Sequence, residues 1–115
     1  MATERIENGN FVYVNYSRQG NKDIDRFIAI LSAIRKEQGS KKDVVIDFGT
    51  SKAITWLEIG PIVRLSLSLE ASSRFLHIIA CEELSFQLSS ISITNLDHLT
   101  IHKSSQAFTD QLNKN

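Results

Sequence analysis

The chain has 115 residues, 42% of them apolar and 23% charged, and its 13 Lys+Arg balance 13 Asp+Glu. That length fits one globular domain over 1–115 and is too short for two independent cores, while the balanced charge speaks against nucleic acid or an anionic membrane as the main partner. A lone cysteine, Cys81, excludes an internal disulfide and fits a reducing cytoplasm.

Met1-Ala2-Thr3-Glu4-Arg5 leads into polar sequence rather than an apolar run, so no secretory signal is expected. No window approaches the roughly 18 apolar residues that a membrane span needs. The expected location is cytoplasmic, without membrane insertion.

The first predicted element is a β-hairpin. Residues 5–7 and 10–16 alternate as strands around Asn8-Gly9, a pair that accepts the positive φ of a two-residue turn. From Asp23 the spacing of Ile24, Phe27, Ile28, Leu31 and Ile34 predicts a helix, closed by Gly39-Ser40. Residues 43–48 form a continuous β-branched and apolar run, as expected of a central strand. Thr55 and Glu58 then stand three apart as a capping box, and a helix is predicted to about Ala71 with Ile59, Ile62, Val63 and Leu67 inside. Pro61 lies slightly deeper than the preferred first-turn position, so a local irregularity is expected there. A strand over 75–80, a helix over 82–91 with Leu84, Leu88 and Ile91 inward, a short strand over 99–102 and a closing helix with Phe108 and Leu112 complete the order β-β-α-β-α-β-α-β-α. Strands joined through helices lie parallel, so the expected fold class is α/β, with a mixed four- to five-stranded sheet carrying one antiparallel edge.

Candidates for chemistry are few. His77 and His102 fall on strands that could be neighbours, but no Cys, Asp or Glu accompanies them or His98 at ligand spacing, so no metal is expected. Cys81 lacks a nucleophile motif and reads as a structural thiol. Asp47 ends the central strand, where α/β enzymes place acids; without a partner base or a phosphate cradle it reads as a brace for the following loop. No enzyme activity and no cofactor are expected. Trp56 and Leu57 open the helix behind Thr55, at the end of the sheet, where either they fold under into the core or they present an apolar anchor to a partner.

Taken together, these blocks resemble the STAS domain family, found in bacterial anti-sigma-factor antagonists, in stressosome proteins and in the tails of sulfate-type transporters. Asp47 matches the family's strand-terminal Asp, Ile54 the apolar residue before its Asp-Ser-Ser/Thr-Gly motif, and Ile59-Gly60 the Leu-Gly after it, with no gap between Asp47 and Gly60. Residues 75–80 match the next strand, Leu96-Asp97-His98-Leu99 the leucine-bearing turn, and Ser104-Ser105-Gln106-Ala107-Phe108 the start of the last helix. Where the family has its motif, this chain has Thr55-Trp56-Leu57-Glu58.

The resemblance implies a bacterial signalling module acting in transcription regulation by protein binding. Its partner would be an anti-sigma-type kinase, another STAS protein or a transport component, and a homodimer is left open. It places the partner-binding surface on Ser51, Lys52, Thr55, Trp56, Leu57, Glu58 and Pro61. The position that the family phosphorylates is Leu57, which has no hydroxyl, so the usual switch is expected to be lost; Thr50, Ser51 and Thr55 are the nearby hydroxyls. The alternatives are a nucleotide or small-ligand sensor and an accessory subunit of a transporter.

Overall fold

A computed structural model describes residues 3–37 and 39–113; Met1-Ala2 of the expected leaderless start lies outside them. The sheet has five strands in sequence order: β1 (Glu4–Asn8), β2 (Phe11–Asn15), β3 (Asp43–Asp47), β4 (Leu76–Ile79) and β5 (Leu99–His102). β1 pairs antiparallel with β2, and every later pair is parallel, so β3 is the middle strand. The expected mixed sheet with one antiparallel edge is the sheet observed.

The hairpin turn differs by one residue from expectation. Asn8 pairs with Phe11, so the loop is Gly9-Asn10 and only Gly9 takes a positive φ, +59°. A turn that asks for positive φ at its first central position alone selects glycine there and leaves Asn8 in the ladder.

Among the described residues four helices follow the strands: α1 (Asn21–Lys36), α2 (Trp56–Ala71), α3 (Glu82–Ser90) and α4 (Ser105–Asn113), with one 3-10 turn, Ile93–Asn95, that the sequence pattern did not reveal. α1 stops at Lys36 rather than at Gly39-Ser40. At Pro61, where a local irregularity is expected, α2 runs on without a break. Its inner stripe is Ile59, Ile62, Leu65, Ser66 and Leu69, whereas Leu67 is exposed. At 3.6 residues per turn, 59, 62, 66 and 69 share a face and 67 turns away from it.

Strand alternation divides the core in two. Val12, Val14, Val44, Ile46, Leu76 and Ile78 point to one face, where they are fully buried with Phe27, Leu31, Ile62 and Leu84 from α1, α2 and α3. The opposite face carries Phe11, Tyr13, Val45 and Ile79 and is packed by Phe108 of α4. Among the described residues no helix is long and apolar enough to cross a membrane.

Candidate functional site

The site is built where β3 leaves the sheet. Asp47 Oδ1 accepts the Gly49 N–H at 2.8 Å, Gly49 takes φ +57°, and the Ser51 N–H bonds to the Phe48 carbonyl at 3.1 Å. The chain therefore reverses tightly while Phe48 is swung into the core, bonded through its N–H to the Ile79 carbonyl. Asp47 braces the loop, as its sequence context implied.

The next stretch has no secondary structure and is fastened to α3 by side chains. The Cys81 thiol donates to the Ser51 carbonyl at 3.2 Å. The Gln87 carboxamide clamps Ile54 from both sides, accepting its N–H and donating to its carbonyl, each at 2.9 Å. With its backbone paired, the Ile54 side chain can be buried in the core.

Thr55 then caps α2. Its Oγ1 accepts the Leu57 N–H at 3.3 Å, and Glu58 Oε1 accepts the Thr55 N–H at 3.0 Å and the Thr55 hydroxyl at 2.5 Å. This is the capping box expected from the spacing, with an acid at the positive end of the helix. Glu58 does more than cap: it is 0% exposed, and its second oxygen accepts the Tyr16 hydroxyl at 2.9 Å. The Arg18 guanidinium stands 3.6 Å from Oε1. Burial, and next the bond to Glu58, push the Tyr16 phenol well above its ordinary range, so it stays a donor.

Glu58 and Pro61 were expected on the partner-binding surface; both are buried. The capping geometry turns the glutamate back over the first turn into the hydrophobic shell, and Pro61 packs under the helix. Their place is behind the surface. Tyr16, Arg18 and Gln87 were not singled out from the sequence. The alternation Val12, Val14, Tyr16 carries the only sign of Tyr16, since it puts that ring on the helix-covered face.

Trp56 and Leu57 point outward, 73% and 58% exposed. Trp56 edges a shallow groove of about 150 Å³ floored by Ile59, Val63 and Ile93. Thr50, Lys52 and Thr55 are exposed and Ser51 is half-buried. Lys52 lies 3.7 Å from Glu83, an exposed pair of little energetic weight. On the other side of the loop, a cavity of about 300 Å³ is lined by Asn15, Ser17, Asp47 and Ser51. Among the described residues no three His, Cys, Asp or Glu side chains cluster as a metal site would require.

An opening hairpin, four parallel strands in sequence order and a tight loop leading to a capped helix define a STAS-like fold. The crystal structure of a candidate anti-sigma factor antagonist from Thermotoga maritima has this fold: it superposes with a TM-score of 0.68 over 94% of this chain and 92% of that one, at 15% identity. At that identity the likeness speaks for the fold. No protein-family model and no curated protein matches the sequence.

Proposed function

We propose that this chain is a non-catalytic protein–protein interaction module, binding a regulatory partner through Ser51, Lys52, Thr55, Trp56 and Leu57, with Glu58 and Pro61 holding that surface from beneath. The observation that carries the reading is the pair Trp56-Leu57, two large apolar side chains held in water on a helix start whose backbone is pinned by Thr55, Glu58 and Gln87. A preorganised anchor loses little freedom on binding, and tryptophan is the residue most enriched among interface hot spots. The structural neighbour, a candidate anti-sigma factor antagonist, supports a regulatory protein partner; in this reading that partner is an anti-sigma-type kinase, another STAS protein or a transport component, in the cytoplasm of a bacterium. The test is capture of a native partner by wild-type protein and by Trp56→Ala. Loss of such an anchor, about 2 kcal/mol, weakens binding roughly thirtyfold; undiminished capture by the variant would refute the assignment.

In this reading the phospho-switch is absent, because Leu57 stands where the family carries its Ser or Thr. Incubation with an anti-sigma-type kinase and ATP leaves the 50–58 peptide unmodified; stoichiometric phosphate on Thr50, Ser51 or Thr55 would show that the switch has moved.

A second reading, a small-ligand sensor, draws on the cavity at the carboxyl ends of β2 and β3, the end where parallel sheets commonly take ligands. Its lining contains Asp47 and no cation, which disfavours a nucleotide phosphate. Titration with ATP and GTP while following the amide signals of Gly49, Thr50 and Ser51 decides it, saturable shifts being required for the sensor.

A further inference from the structure

The outer face of the sheet holds a cluster that the partner surface does not use. His77 on β4 and His102 on β5 lie diagonally across adjacent strands, with His77 Nδ1 3.2 Å from His102 Nε2. The Phe108 ring sits 5.1 Å from each imidazole and edge-on to Phe11 at 5.5 Å. Phe108 is the only buried side chain among those described in α4, and Leu112 remains 38% exposed. A nine-residue helix has little stability of its own in water, so the seating of Phe108 among these rings does much to hold α4 on the sheet.

The hydrogen bond between the two imidazoles beneath Phe108 requires at least one neutral ring. In the bond between the two imidazoles one nitrogen donates and the other accepts; with both rings protonated, two N–H groups and two positive charges would meet at 3.2 Å. Burial holds both histidines below their ordinary range, and His77 is lowered further by His102. The other charged groups around the pair do not cancel this. From β3, Asp43 favours a charged His77, but one of its oxygens is engaged by the Phe75 N–H. Lys103, beside His102, is exposed, and on α4 the exposed Asp110 is bonded to Gln106. From β2, Phe11 meets the His77 ring edge-on at 6.1 Å, and Tyr13 meets Phe108.

We propose that α4 is a proton-released latch: double protonation of the His77–His102 pair undocks Phe108 and uncovers the apolar sheet face formed by Phe11, Tyr13, Val45 and Ile79. The docked state binds fewer protons than the undocked one, in which both imidazoles return to the ordinary value near 6.5. Docking is therefore complete above that value and weakens as pH falls through and below it. The pair titrates as a unit, the first proton being shared in the N–H···N bond and the second breaking it.

The test is amide hydrogen exchange on the full chain at about pH 7.5 and about pH 5, corrected for the intrinsic pH dependence, with α2 as internal reference. Protection of α4 amides relative to α2 is expected to fall about tenfold or more at the lower pH, and to stay level in the His77→Gln/His102→Gln variant, whose side chains can pair but not titrate. Equal relative protection of α4 at both pH values in the wild type would overturn the proposal, as would the same loss in the variant. Should the variant fail to dock α4 at the higher pH, the imidazole proton signals of the wild type decide. Both rings reaching full protonation with α4 still protected would refute the latch; a second proton taken up only as α4 opens would support it.

Discussion

The two sides of the first turn of α2 use their residues in opposite ways. On the inner side a glutamate is wholly buried, and on the outer side the chain's one tryptophan is 73% exposed. The inner inversion is balanced locally: Glu58 accepts bonds from the Thr55 N–H, the Thr55 hydroxyl and the Tyr16 hydroxyl and has Arg18 close by, so its charge is solvated by protein instead of water. Among the described residues the outer inversion has no such balance, and the indole edges a shallow groove. A buried charge with a full set of partners serves position and stability. An exposed aromatic on a fixed helix start contributes little to folding and is available to something outside the chain.

This contrast can be broken most sharply at Glu58. Glu58→Ala leaves the Tyr16 hydroxyl buried without an acceptor and removes the reciprocal half of the capping box, and is expected to cost on the order of 3 kcal/mol in chemical denaturation. A cost below about 1 kcal/mol would mean that the carboxylate is not the centre of the network. Tyr16→Phe removes one donor while leaving Glu58 its bonds to Thr55 and its contact with Arg18, so about 1 to 2 kcal/mol is expected by the same measurement. Trp56→Ala should be the mildest, well under about 1 kcal/mol, because little apolar area is lost from the core. An equal loss at Trp56 and Glu58 would erase the distinction between the two sides.

Much of this arrangement was legible in the sequence, for reasons that are local. The capping box follows from Thr55 and Glu58 at a fixed spacing, the parallel strands from apolar runs separated by helical periods, and the place of Trp56 at the helix start from the cap before it. Contacts between segments distant in the chain were not legible. Tyr16 reaches Glu58 across 42 residues and Gln87 reaches Ile54 across 33, and of His77 and His102 the sequence offered neighbouring strands but not the diagonal contact. Each depends on strand register or helix placement that spacing alone does not set. The burial of Glu58 was missed for the same reason: its capping role is a short-range pattern, but the pocket that receives it is closed by Tyr16, just past the end of β2. At Leu67 the apolar residue type was read as inward, and the helical angle overrode it.

Because Trp56 is the chain's only tryptophan, its fluorescence reports on the central claim without labels or mutations. In the free, folded protein the emission should be that of a water-exposed indole, quenched by iodide nearly as readily as in the unfolded chain, and it should shift to shorter wavelength and become shielded when the partner binds. A short-wavelength, quencher-protected emission in the free protein would place the indole in the core and contradict the account.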